Sequence, residues 1–107
     1  MAANTTLRDD EIRAIINELF PITDKTGERE KANLKKCRDE FMVCYFAPDI
    51  AKFRNTAWGV INAASDLVTH SMPHKNTPTY AENNWGRIMD GHALMDKAAL
   101  LAMKGAA

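Results

Sequence analysis

The chain has 107 residues, which suits one domain with a genuine core and requires neither disulfides nor a structural metal. Fourteen Lys and Arg residues balance 14 Asp and Glu residues, so no net positive field favours nucleic-acid binding across the whole molecule. No apolar stretch approaches the roughly 18 residues of a membrane span, and the N-terminus lacks the pattern of a signal peptide. We therefore expect a cytoplasmic protein, forming one helical domain over residues 1–107 with residues 1–6 flexible.

The charge is uneven along the chain. Residues 1–24 carry 2 basic and 5 acidic groups, residues 25–54 carry 8 and 5, and the remainder is balanced. A nucleic-acid role would therefore have to use the middle segment. Because the signs are mixed even there, a solvated helix face is the favoured interpretation.

The first predicted helix runs from Leu7 to Phe20. Its apolar residues recur at i, i+3, i+4 and i+7, which gives the helix one apolar stripe. Thr6 and Asp9 have the spacing of a capping-box variant, and acidic residues in the first turn suit the positive end of the helix dipole. Pro21 stops the helix, because proline disfavours helical backbone in the residue before it.

A second, longer helix is predicted over residues 28–46, with apolar residues at heptad-like spacing and charged residues on the other face. We expect Tyr45 and Phe46, in its last turn, to lie deep in the core. Cys37 and Cys44 are separated by roughly 10 Å along the helix axis, which is too far for a disulfide within the helix. They are predicted to be buried thiols of a protein from a reducing compartment.

Proline and capping residues predict the next two elements. Pro48 opens a short helical turn over residues 48–53. Asn55 or Thr56 then caps a third helix, which runs to about His70.

The last part of the chain predicts one further helix or two. After a loop over residues 71–77, Pro78 takes a typical first helical position, and apolar residues then recur as far as Lys104. Gly91 either kinks one helix or separates two, and we favour a break because Asp90 is a suitable cap. Since no window alternates with a period of two, the predicted fold is all-α, a compact bundle of four or five helices.

Four polar and aromatic residues of the third helix, Trp58, Asn62, Asp66 and His70, are spaced four apart and therefore share one edge. This row can be a recognition edge or a buried polar network. We favour the structural network, with Asn62 and Asp66 partly buried and tied to Arg87 or to neighbouring backbone.

Metal binding and catalysis are the alternatives for this region. Two histidines four apart can share a metal on a helix, but Pro73 between His70 and His74 argues that the helix ends first, and spacing alone gives no third ligand. Asp66 could orient His70 for acid and base chemistry, yet no convincing nucleophile lies beside them. We expect no metal, no cofactor and no enzymatic activity.

Two glycines directly follow tryptophans, at Gly59 and Gly86. A glycine inside a helix costs about 1 kcal/mol relative to alanine, so each is expected to permit close approach of another helix or of backbone. A ligand cleft is the less favoured alternative. The two tryptophans could stack on bases while Arg54 and Arg87 contact phosphates, but a neutral chain favours a place in the core or in a protein interface.

The sequence also resembles a known family. Residues 53–70 contain, in order, a threonine, a small residue, Trp-Gly, two apolar residues, Asn-Ala, an acidic residue and a histidine. Arg87 and a glycine-containing Ala-Leu segment over residues 91–100 follow them. This pattern is similar to the C-terminal part of the phage/plasmid-like family described as domain of unknown function 932. The resemblance covers about the last half of the chain.

The resemblance implies an origin in a bacteriophage or another mobile element, and it implies no settled activity. We therefore expect a non-catalytic binding module, most concretely an anti-CRISPR or other host-defence inhibitor, whose partner is a host or phage protein or a defence nucleoprotein complex. The alternative is a single-strand DNA-binding or recombination accessory protein. The candidate binding residues are Arg54, Trp58, Asn62, Asp66, His70, Trp85 and Arg87.

Overall fold

The computed structural model describes residues 6–71 and 90–106. Four α-helices follow one another in these segments: α1 (Asp9–Leu19), α2 (Glu28–Tyr45), α3 (Ala57–Asp66) and α4 (Gly91–Ala106). A 3-10 helix, Pro48–Phe53, precedes α3, and a π-helical turn, Leu67–Ser71, extends it. The described segments contain no strand, so the prediction of an all-α bundle is confirmed. The helix predicted after Pro78 lies outside the described residues.

The start of α1 differs from the predicted one. The helix begins at Asp9, and the carboxylate of Glu11 accepts a hydrogen bond from the backbone N–H of Arg8 (3.1 Å), which is one half of a capping box. The proposed pairing of Thr6 with Asp9 is therefore wrong, because both positions lie too early for the helix that forms. Thr6 instead forms an isolated antiparallel bridge with Thr56.

Helix α2 contributes the central aromatic cluster of the core. Phe41 packs edge-on against Phe20 and lies parallel to Tyr45, with ring centroids 5.9 and 6.3 Å away. Cys37 is fully buried, as predicted, whereas Cys44 is only half-buried. Burial and the nearby charge of Glu40 raise the pKa of the Cys37 thiol, which disfavours the thiolate.

Phe46 is not in the core, although it was predicted there. Tyr45 is 2% exposed and Phe46 is 55% exposed. The helix ends at Tyr45, and the C-cap residue Phe46 leaves the buried stripe. Tyr45 therefore lies in the core, and the adjacent Phe46 lies at the surface.

Small residues allow α3 and α4 to pack closely. The two helices contact one another, and five of their alanines are fully buried, namely Ala57, Ala63, Ala64, Ala98 and Ala102. A Cβ atom on Gly91 would lie 2.7 Å from Cγ1 of Val68, so the first residue of α4 approaches the π-helical turn directly. Asp90 accepts a hydrogen bond from the backbone N–H of Ala93 (3.1 Å), and α4 begins there as the favoured break predicts.

None of the helices in residues 6–71 and 90–106 has the length and apolar character needed to cross a bilayer.

Thr56 caps α3, which decides between the two predicted caps. Its hydroxyl accepts from the backbone N–H of Gly59 (3.2 Å) and donates to the carbonyl of Phe53. Replacing Thr56 with alanine removes the cap and is expected to lower the free energy of unfolding by about 1 kcal/mol. Thr56→Ser keeps the hydroxyl and should cost much less. Urea unfolding of both variants checks this expectation, and equal losses would contradict it.

Candidate binding surface

Residues 53–59 form a junction where α1, α2 and α3 meet. Asn55 lies at its centre and has a positive φ of 62°, a left-handed backbone conformation that asparagine tolerates better than most residues. Its carbonyl accepts a hydrogen bond from the backbone N–H of Leu7 (2.6 Å), which ties the segment before α1 to the segment before α3. The turn therefore fixes the relative position of two helix starts.

The side chain of Asn55 completes the junction. The hydroxyl of Tyr45 donates to Oδ1 of Asn55 (3.0 Å) and accepts from the backbone N–H of the same residue (2.7 Å). Nδ2 of Asn55 also donates to Asp9 at the start of α1 (3.5 Å). Burial raises the pKa of Tyr45, against the opposing effects of the bond from Asn55 and the charge of Arg54. The phenol is therefore held neutral and acts as a structural donor and acceptor.

Arg54 closes the end of α2. Its guanidinium donates to the carbonyls of Tyr45 and Ala47, each at 3.3 Å, and lies 4.8 Å from the ring centre of Phe46. A cation at this position satisfies carbonyls that the end of a helix leaves without partners. Two guanidinium nitrogens of Arg54, a predicted binding residue, are thus engaged within the chain.

Gly59 permits a close approach of backbone, as its position inside a helix predicts. It is buried in the first turn of α3, and a Cβ atom there would lie 2.5 Å from the carbonyl oxygen of Phe53 and 3.2 Å from its carbon. The neighbour is the backbone at the end of the 3-10 helix, and not a second long helix. Helix α3 can start directly against this turn only because residue 59 has no side chain.

Trp58 differs from the other residues of the junction. It lies between Ala57 and Gly59, which are both buried, yet 42% of its own surface is exposed. A large aromatic side chain on an ordered helix start can transfer much apolar surface from water when a partner covers it. Trp58 is therefore the junction residue best placed to contact another molecule.

The rest of the predicted row is only partly described. Asn62 and Asp66 are half-buried, as predicted. The backbone of His70 lies in the π-helical turn Leu67–Ser71, so the regular α-helical spacing ends at Asp66. The side chain of His70, and Trp85 and Arg87 altogether, lie outside the described residues, so their proposed contacts stay predictions.

Within residues 6–71 and 90–106, no three His, Cys, Asp or Glu side chains converge in a way that could hold a metal ion. His74, one of the histidines considered as a ligand, is outside this range. His92 is exposed in the first turn of α4.

The sequence prediction missed the group formed by Tyr45, Asn55 and Asp9. Tyr45 was assigned to the core for its ring, and Asn55 was considered only as a helix cap. The available signal was an asparagine directly before a capping threonine, since asparagine favours left-handed backbone conformations at turns. Nothing local indicated that this turn would receive a hydroxyl from a residue ten positions earlier.

Comparison with known proteins identifies one family. The model of a family described as Domain of unknown function (DUF932) matches residues 1–89. The match therefore includes the first half of the chain and ends before α4, whereas the resemblance was expected to cover about the last half. No curated protein and no solved structure matches the chain.

Proposed function

The chain belongs to the DUF932 family, whose function is unknown, and from this premise we propose that it is a non-catalytic binding protein that contacts another protein through Trp58. The observation that carries the proposal is the exposure of this indole, 42%, at a position where the neighbouring residues are buried. Tryptophan is enriched among the residues that supply most of the energy of protein interfaces.

The surroundings of Trp58 favour a protein over a nucleic acid. Arg54, four residues earlier, donates to two backbone carbonyls and lies against Phe46, so its charge is partly satisfied within the chain. The whole chain has a formal net charge of zero, and steering toward a polyanion is correspondingly weak. A partner that covers the indole gains apolar contact without requiring strong positive charge.

The most concrete form of the proposal is a host-directed inhibitor, such as an anti-CRISPR or another inhibitor of host defence. Neutral charge and the phage-like resemblance of residues 53–70 support it. In this form the partner is a host protein or a defence nucleoprotein complex, and the chain acts by occupying a surface of that partner.

Replacing Trp58 with alanine should weaken binding of the partner at least about tenfold, as expected for an aromatic residue central to an interface. Because 42% of Trp58 is exposed, the loss of stability should be smaller than the roughly 3 to 5 kcal/mol of a fully buried tryptophan, and urea unfolding checks that the variant remains folded. The immobilised chain is incubated with nuclease-treated host lysate, and the retained proteins are identified by mass spectrometry. The affinity of the purified partner is then measured for the original chain and the variant.

The matched control is Leu100→Ala, which removes an exposed apolar side chain (73% exposed) from α4 and leaves the junction intact. The proposal predicts that this variant keeps the partner while Trp58→Ala loses it. Equal affinity of the original chain and Trp58→Ala for the partner would contradict the role of the indole.

A DNA-binding accessory role is the second candidate, and it is favoured by the net charge of +3 over residues 25–54 (8 basic minus 5 acidic groups) together with the exposed indole. Stacking of a base on Trp58 would then be accompanied by lysine contacts to phosphates. This candidate predicts direct binding of a single-stranded oligonucleotide whose affinity falls steeply with salt. The first candidate predicts no such binding.

A further inference from the structure

A second site lies away from the junction, in an open groove at the turn between α1 and α2. The groove has a volume of about 610 Å³ and is lined by two cationic side chains of α2, Lys35 and Arg38, together with Asn17, Pro21, Ile22 and Thr23. Since Lys35 and Arg38 are three residues apart on a helix, their side chains are neighbours. No carboxylate lies among these lining residues.

Arg38 is held in place by the end of α1. Its Nη2 donates to the carbonyl of Phe20 (3.0 Å), the C-cap residue of that helix. Its Nε is shielded from solvent and has no hydrogen-bond partner. The guanidinium is therefore partly desolvated, and within residues 6–71 and 90–106 it has no carboxylate partner.

Lys35 is exposed and likewise has no ion-pair partner in the described part of the chain. Two neighbouring cations that share a groove repel one another, and an anion between them relieves this repulsion. Partial desolvation of Arg38 strengthens its attraction to such an anion. The turn also supplies neutral hydrogen-bonding groups, the amide of Asn17 and the hydroxyl of Thr23.

We propose that this groove binds a phosphate group, held between Lys35 and Arg38. A phosphate dianion balances both positive charges, whereas a single carboxylate balances one. Its additional oxygens can accept hydrogen bonds from the amide of Asn17 and the hydroxyl of Thr23. Because the groove is open, it can receive inorganic phosphate or the phosphate of a small phosphomonoester.

The test is a titration of the whole chain with inorganic phosphate at constant ionic strength, followed by calorimetry and by chemical-shift changes of α2 amides. Saturable binding is expected. Lys35→Ala should weaken it about tenfold, since one charge-assisted hydrogen bond is lost. Lys36→Ala is the matched control, because it removes an exposed lysine from the next position of the same helix that does not line the groove.

Absence of saturable phosphate binding would overturn the proposal. Equal weakening of phosphate binding by Lys35→Ala and Lys36→Ala would also overturn it, because it would indicate only a general effect of charge. A parallel titration with a nucleoside monophosphate distinguishes the two sources of the phosphate. Tighter binding of the nucleotide than of inorganic phosphate assigns the site to a phosphomonoester, and equal or weaker binding assigns it to the free ion. Either result supports the site if Lys35→Ala weakens the binding and Lys36→Ala does not.

Discussion

Replacing Gly59 with alanine is expected to lower the free energy of unfolding by about 2 to 4 kcal/mol, which exceeds the usual effect of a single substitution. The added Cβ would lie 2.5 Å from the carbonyl oxygen of Phe53. Since that atom belongs to the backbone, no side-chain rotation can make room, and the 3-10 helix or the start of α3 must move. The better helix propensity of alanine recovers only about 1 kcal/mol of this cost.

Gly27→Ala is the control for the Gly59 substitution. Gly27 precedes α2 with a φ of −66°, and a Cβ atom there would meet nothing within 4 Å. Alanine is a poorer N-cap than glycine, but it also reduces the entropy of the unfolded chain, so the two effects nearly cancel. Urea unfolding of both variants should give a large loss for Gly59→Ala and almost none for Gly27→Ala. Similar small losses of unfolding free energy in the two variants would contradict this expectation, because they would show that the junction can move at little cost.

The close approach at Gly59 illustrates what local sequence patterns can predict. A glycine within a helical pattern costs stability, so its presence indicates a neighbour that leaves no room for a side chain. The identity of that neighbour was not predictable, because it depends on how the 3-10 helix Pro48–Phe53 turns back onto α3. Within residues 6–71 and 90–106, helix positions were predicted well for the related reason that buried stripes are local and periodic.

Arginine side chains show that positive charge in the sequence can also have a structural role. Arg38 and Arg54 lie in the most basic part of the sequence, and Arg54 was assigned to ligand binding for its charge. In the structure, each donates to carbonyls at or beside the C-cap of a preceding helix, at Phe20 for Arg38 and at Tyr45 and Ala47 for Arg54. Hydrogen bonds to carbonyls at helix ends thus engage part of each guanidinium, and they leave the rest of the Arg38 guanidinium to line the groove.

Three of the residues that suggest the family have structural roles in this chain. Asn55 adopts the left-handed turn, Thr56 caps α3, and Gly59 admits the carbonyl of Phe53. A recurring motif of this kind can therefore specify a helix junction without specifying an activity. Trp58 is the exception, since its exposed ring is not required by these contacts. For this reason the proposed function depends on Trp58 and not on the whole motif.

Replacing Asn55 with alanine should cost about 2 to 3 kcal/mol, from two separable effects. Alanine at a φ of 62° is strained by roughly 1 to 2 kcal/mol, because its Cβ approaches the following carbonyl in the left-handed conformation. The variant also removes the acceptor of the Tyr45 hydroxyl, and a buried donor without a partner costs about 1 to 3 kcal/mol before relaxation.

Asn55→Gly separates these effects, since glycine adopts positive φ without strain and yet lacks the side-chain hydrogen bonds. It should therefore be more stable than Asn55→Ala by about the strain alone, roughly 1 to 2 kcal/mol. Tyr45→Phe tests the remaining effect, because in an Asn55→Gly background the hydroxyl has already lost its side-chain acceptor. The loss caused by Tyr45→Phe should be smaller in that background than in the original chain, and additive losses in urea unfolding would exclude the coupling of the two side chains. A junction held by such coupling fixes the start of α3, and with it the position of the exposed Trp58 side chain.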